Sequence, residues 1–214
     1  MDLQALNNFI QNKTSQKEAL CRIREKNKLC RLCDIKKDYT SQLSVSGCGN
    51  YNAEIFLIGE APGEDEVLQG IPFVGRAGQL LNNAIQEAGL IRKELYIHNI
   101  LSCRPYKNKF PNGHLGINKC IKWLQLEIAV VKPKIIVAIG KNAYEILTEK
   151  RNTKITQERG TTIDWTFENL SLDIILIPTL HPSYCMRRKN MKDEGAYNDL
   201  VKDLILAKKI IKEG

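Results

Sequence analysis

The chain has no apolar run approaching the roughly 18 residues of a transmembrane helix. Its first residues, with Asp2 and the Asn7-Asn8 pair, lack the layout of a signal peptide. It has no internal repeat and no low-complexity tract, which sets aside solenoids and long disordered linkers. Histidine is scarce, with three in 214 residues. Seven cysteines cannot all pair with one another, so a disulfide-stapled secreted fold is disfavoured and a cytoplasmic protein with metal-bound and free thiols is expected. What remains is ordinary for a globular protein, at 43% hydrophobic and 26% charged residues. The length suits one domain over residues 1–214 with a sizeable core. A net charge of +8 suggests a polyanionic partner.

Apolar spacing predicts a helix over residues 3–28, running into a cysteine pair, with Cys21 packed on its inner face. Strands are expected at 54–58, 96–101, 135–139 and 174–177, and helices at 77–90, 117–131, 141–147 and 197–211. Residues 151–172 are polar and suit a hairpin or irregular excursion, and Cys48 between two glycines suits a turn. Strands alternating with helices point to an α/β fold: three layers, αβα, around a mostly parallel four-stranded sheet. Ligands of such sheets sit beyond the carboxyl ends of the strands. Three loops occupy that edge, at 59–75, 99–111 and 178–189.

Cys30-x2-Cys33 near the start and Cys103 and Cys120 far downstream form the strongest local signal. Four thiolates suit zinc or an iron–sulfur cluster, and spacing does not separate the two. The second pair, Cys103-x16-Cys120, leans toward a cluster, since zinc knuckles use two short pairs. Either group would tie the N-terminal helix, residues 1–33, to the body of the fold.

Each loop carries groups with a bland and a chemical reading. Gly59-Glu-Ala-Pro-Gly63 turns sharply and exposes backbone N–H groups beside acidic side chains, including Glu66. Phe73, between Pro72 and Gly75, is a core plug or a face for a planar ligand. Asn99 ends a strand, where its carboxamide caps a turn or offers a donor and an acceptor to a base edge. Basic residues with Tyr106 and Phe110 in the second loop suit phosphate and base contact. His181 directly follows an apolar strand, with Arg187, Arg188 and Lys189 behind it. No role is assigned to His98 or His114.

In order and spacing these segments resemble the family 4 uracil-DNA glycosylases, the iron–sulfur members of that superfamily. The resemblance covers nearly the whole chain. It includes Gly59 to Gly63 with Glu66, Gly-x-Pro-Phe-Val-Gly-x-Ala-Gly from Gly70 to Gly78, Asn99 before Cys103-Arg104-Pro105, Asn108, Cys120, residues 135–140, and His181-Pro-Ser-Tyr184. Family 5 members normally carry Ala where Gly63 stands. A relative that becomes trapped on DNA carries a His-containing insertion that is missing between Glu66 and Phe73.

The resemblance implies an enzyme that flips uracil out of single- or double-stranded DNA and hydrolyses its N-glycosidic bond. The rival function is a weak or inactive DNA-binding module stapled by a metal site. By resemblance, Phe73 stacks on uracil, Asn99 reads its pairing edge, and Glu66 lines the pocket near C5. His181 donates to O2 of the departing base, Glu60 orients water or supports the sugar cation, and N–H groups around Ala61 assist. Asn108 is a pocket or backbone-supporting residue. Ser183, Met186, Arg187, Arg188 and Lys109 are expected to meet DNA, Met186 as an apolar wedge. Cys30, Cys33, Cys103 and Cys120 would hold a [4Fe–4S] cluster in a monomeric protein. Relatives commonly place two leucines where Cys185 and Met186 stand, and an Arg where Lys109 stands.

Overall fold

The structure, a computed structural model, describes residues 15–35, 43–111, 113, 115–166 and 172–213. The expected helical turns at Leu3 to Ile10, and His114, lie outside the described residues.

Four strands form the parallel heart of the sheet: β2 (Ile55–Gly59), β3 (Tyr96–Asn99), β4 (Ile135–Ile139) and β6 (Ile174–Thr179), after the two-residue β1 (Cys48–Gly49) and with the short β5 (Ile163–Trp165) between. All residues of β2, β3 and β4 are buried. In β2 and β4 apolar side chains therefore run without alternation, as expected of strands covered on both faces. The order is β1-β3-β2-β4-β6-β5, with the two short strands antiparallel at the edges. Among the described residues the sheet thus has six strands, not four. Cys48 lies in β1 rather than in a turn, and part of the 151–172 excursion is β5. Strands of two or three residues carry no periodicity of their own; they form because the edges of β3 and β6 offer unpaired backbone groups.

The helices are α1 (Gln16–Lys28), α2 (Glu64–Gln69), α3 (Arg76–Glu87), α4 (Leu115–Val131), α5 (Lys141–Thr148), α6 (Ile155–Glu158), α7 (Pro182–Asn190) and α8 (Gly195–Glu213). On one face, Ile136 and Ala138 of β4 pack with Leu20 and Ile23 of α1, Trp123 and Leu124 of α4 and Tyr144 of α5. On the other, Ile135, Val137 and Ile139 pack with Leu81 and Ile85 of α3, Cys185 of α7 and Leu200 and Leu204 of α8. The three αβα layers follow from that two-sided burial. Cys21 is exposed rather than packed, because Leu20 and Ile23 take the inner face of α1.

Apolar packing and a buried polar network hold α1 against the body of the fold. Asn27 donates to the hydroxyls of Ser46 (3.0 Å) and Ser102 (2.9 Å), and Arg24 to the Gly47 carbonyl (2.9 Å). Beneath them His98 faces Glu127 at 3.1 Å, both fully buried. Burial lowers the His98 pKa, against the opposing pull of Glu127.

Strand order reverses at β2: β3 lies on one side and β4 on the other. The crevice beyond the carboxyl ends of β2 and β4 is therefore the topological switch point.

Candidate functional site

A cleft of about 710 Å³ opens at that switch point. Its walls come from all four parallel strand ends: the turn after β2, Asn99 closing β3, Gly140 to Asn142 after β4, and Leu180 and His181 after β6. Three segments expected as loops thus share one site, although two contain α-helices. Residues 64–69 form α2, and 182–190 form α7, with Pro182 at its first turn. Proline is pre-organised for that position, so a helix start was legible there.

The β2 turn is built by close approach. A Cβ on Gly59 would sit 2.4 Å from both Asn99 Oδ1 and Phe73 Cζ, so glycine lets the amide and the ring converge. Phe73 is 5% exposed and has a left-handed φ of 54°. Glu66 holds it there: Oε2 accepts from Gly63 N–H (3.0 Å), while Oε1 accepts from Val74 (3.1 Å) and Gly75 (2.9 Å). The Glu66 carboxylate, expected to face a ligand, is spent on three backbone donors and braces the Phe73 segment. Helix α3 then abuts that segment, where a Cβ on Gly78 would lie 2.0 Å from the Phe73 carbonyl oxygen. Gly78→Ala is expected to lower stability by about 3 kcal/mol, the upper range for overpacking; a denaturant titration with an unchanged midpoint would refute the tight fit.

Opposite Phe73 stands His181, with ring centroids 6.2 Å apart. His181 caps α7: its Nδ1 accepts from Ser183 N–H at 3.1 Å. A neutral ring then carries its proton on Nε2. Burial, and then the nearby Arg187 cation, push the His181 pKa down to about 4, so the ring is neutral at physiological pH. The strand behind it is anchored by Thr179, whose hydroxyl donates to the buried Asp203 at 2.6 Å, with Arg159 Nε on the same carboxylate at 2.9 Å.

Glu60 lies across the switch point from Asn142, whose amide donates to Glu60 Oε2 at 2.7 Å. Burial raises the Glu60 pKa; the Asn142 bond and Arg187 partly offset this. Asn142 went unnoticed in the sequence. Its signal was its place, two residues past the glycine that ends a strand.

Ala61, Glu66, Phe73, Asn99, Asn108, Ser183 and Arg187 line the same cleft as Glu60 and His181. Three other expected contacts do not. Met186 lies on the far side of α7, in a second cleft with Arg76 and Lys189. Arg188 is turned to Asp193, with Nε 2.8 Å from its carboxylate. Lys109 is exposed beside the cleft rather than in its wall. Helical geometry explains the division, since Ser183, Tyr184 and Arg187 share one face of α7 and Met186 and Lys189 the next.

The four expected metal-binding cysteines belong to one region. Cys103 and Cys120 are buried, and Cys30 and Cys33 pack against the same apolar cluster. Cys120 Sγ accepts from Ser102 N–H at 3.1 Å, and the Ser44 hydroxyl lies 3.3 Å from Cys103 Sγ. Burial above all pushes the Cys120 thiol up to about 12, with Cys103 and Cys33 close enough to add to the shift. Among the described residues, no three His, Cys, Asp or Glu side chains converge on a position for a single metal ion. No helix among the described residues is long and apolar enough to cross a membrane.

Comparison with known proteins identifies related chains. The family model described as the uracil DNA glycosylase superfamily matches residues 46–205. A type-4 uracil-DNA glycosylase of Thermotoga maritima is 36% identical over 168 residues, covering 78% of this chain and 83% of the relative. The corresponding protein of Archaeoglobus fulgidus is 36% identical over 168 residues, 77% of this chain and 82% of its own. That of Pyrobaculum aerophilum is 30% identical over 197 residues, 91% and 89% of the two chains.

Proposed function

The chain belongs to the uracil-DNA glycosylase superfamily, and from that premise we propose how its cleft removes uracil from DNA. The protein is a DNA-repair glycosylase that hydrolyses the N-glycosidic bond of uracil, releasing the base and leaving an abasic site. The observation that carries the mechanism is the convergence of Phe73, Asn99, Glu60 and His181 on one cleft at the sheet's switch point.

Uracil leaves the helix at a cost of a few kcal/mol in stacking and pairing. Phe73, fixed by Glu66 and Gly78, supplies a new stacking face. The Asn99 carboxamide matches the N3–H donor and O4 acceptor of uracil, a pattern cytosine inverts. Glu66 acts as a positioning residue for Phe73, whose segment narrows the pocket around C5. As the bond to C1′ breaks, negative charge gathers on uracil O2 and positive charge on the sugar. His181 meets the first with the neutral Nε2–H, a donor already oriented by Ser183, so no reorganisation is needed during the reaction. Glu60 meets the second. Asn142 holds Oε2, which leaves Oε1 to orient water or face the sugar cation. Arg187, on the cleft-facing side of α7, is suited to a flanking phosphate. Met186, on the neighbouring wall, reaches DNA only outside the uracil cleft.

Cys30, Cys33, Cys103 and Cys120 are the residues that would hold a [4Fe–4S] cluster, with zinc the alternative. Their soft donor set, their common apolar surroundings and the Ser102 N–H on Cys120 fit a thiolate-bound group. Such a group would brace the 104–111 loop against α1 and supply no step of the hydrolysis. Purified protein is expected to absorb broadly near 400 nm. Cys120→Ser should abolish that band and cost about 4 kcal/mol, the loop-closure value for a tie spanning roughly 70 residues. Colourless protein with bound zinc would replace the cluster by zinc.

The function itself is tested by incubating the protein with a uracil-containing oligonucleotide and cleaving abasic sites with alkali. Uracil-dependent cleavage is expected; DNA binding without it would leave only the inactive-module reading.

A further inference from the structure

We propose that Arg104 is a positioning residue of uracil excision, fixing the Asn108 amide in one orientation and joining the wall of the cleft to the cysteine-bearing loop. This rests on the glycosylase function above and adds a residue to its machinery.

Arg104 directly follows Cys103, and its side chain is only 12% exposed. Nε donates to Asn108 Oδ1 at 2.8 Å, and Nη2 to Glu64 Oε2 at 3.3 Å. It therefore bridges the second loop and the first residue of α2, just past the Gly59–Gly63 turn. A guanidinium has donors and no acceptor. Asn108 must accordingly offer it the oxygen, which leaves the amide nitrogen as the polar group available to the cleft that Asn108 lines. An amide turned the other way would place a lone pair beside a base gathering negative charge.

The backbone at Lys107 is held against its preference. Lys107 and Asn108 both adopt left-handed conformations, at φ 51° and 55°. Asparagine tolerates that region, whereas a lysine there is held by its surroundings. Asn108 is exposed, so packing alone does not fix its side chain. The root of the loop is anchored, with Val45 N–H on the Ser102 carbonyl (2.7 Å) and Ser102 N–H on Cys120 Sγ (3.1 Å). Arg104 carries that anchorage outward to Asn108.

The test is a double-mutant cycle. Single-turnover uracil release is measured with enzyme in excess on a uracil-containing oligonucleotide, for wild type, Arg104→Met, Arg104→Lys, Asn108→Ala and the Met/Ala double variant. DNA dissociation constants and absorbance near 400 nm are measured alongside. Arg104→Met should slow release by about tenfold to a hundredfold, the usual effect of a misplaced group, with affinity and absorbance unchanged. Asn108→Ala should cost little more in that background, and Arg104→Lys should recover part of the rate. Independent losses that multiply in the double variant overturn the proposal. So does a variant that weakens DNA binding but releases uracil at the wild-type rate once saturated, which would make Arg104 a phosphate contact. Should Arg104→Met prove unstable, the same cycle built on Arg104→Lys distinguishes coupled from independent losses in its place. Multiplying losses beside an active wild type overturn the Arg104 role alone, whereas an inactive wild type overturns the excision function with it.

Discussion

His181→Ala is expected to release uracil about 100- to 1000-fold more slowly, the effect of removing one preorganised donor to a developing oxyanion, with DNA affinity little changed. The expectation is sharpened by the state of the ring. Burial first, and then Arg187, hold its pKa at about 4, while Ser183 N–H occupies Nδ1. The working form is therefore neutral imidazole, and wild-type activity should show no fall on the alkaline side between pH 6 and 8. A rate that declines through that range would mean that imidazolium is the active acid, and the donor scheme would be wrong. On the acid side, protonation of Glu60, whose pKa burial raises, and of His181 at about 4 should both contribute to the limb; Glu60→Gln should remove the Glu60 part of it. Stability carries the same signature. Between the folded value near 4 and an unfolded value near 6.5, the unfolded chain holds the proton and the folded chain does not. Stability contributed by neutral His181 is thus complete above pH 6.5 and lost as pH falls toward 4. Part of that slope should vanish in His181→Ala.

Asn99→Asp should cut uracil release by about 100-fold, the upper end of the roughly 1–3 kcal/mol that a bidentate base contact is worth. Asn99 is 2% exposed, with its oxygen packed close against Gly59. With so little freedom, the side chain selects by donor and acceptor pattern rather than by rearranging. An ionised Asp has two acceptors and no donor. It loses the N–H directed at uracil O4, sets an anion against that oxygen, and suits the exocyclic amine of cytosine instead. Rates on uracil and cytosine oligonucleotides, compared at equal thermal stability, decide the matter. An unchanged uracil rate would show that Asn99 merely caps β3.

Much of this was legible in the chain. The strands at 54–58 and 135–139 announced themselves as unbroken apolar runs, because a parallel strand covered on both faces has no polar side to alternate. The motif glycines, Phe73, Asn99 and His181 were legible for a related reason. They lie at strand ends or in the segments that follow them, and the carboxyl edge of an open α/β sheet is where ligands bind whatever the details of packing.

Other features had no local trace. Asn142 and Glu60 are 82 residues apart and meet only because β2 and β4 are neighbours. The buried pairing of His98 with Glu127 likewise joins a strand to a helix, and nothing near either residue foretells it. The edge strands β1 and β5 borrow their conformation from β3 and β6. Even for α7 the sequence placed its residues at the site without saying which faced inward; the helix turned Arg187 to the cleft and Met186 away from it. Composition and spacing thus determined which residues could gather at one edge of the sheet. Only the tertiary structure decided their protonation, their orientation and their partners, since burial and contacts between distant segments exist only once the layers have packed.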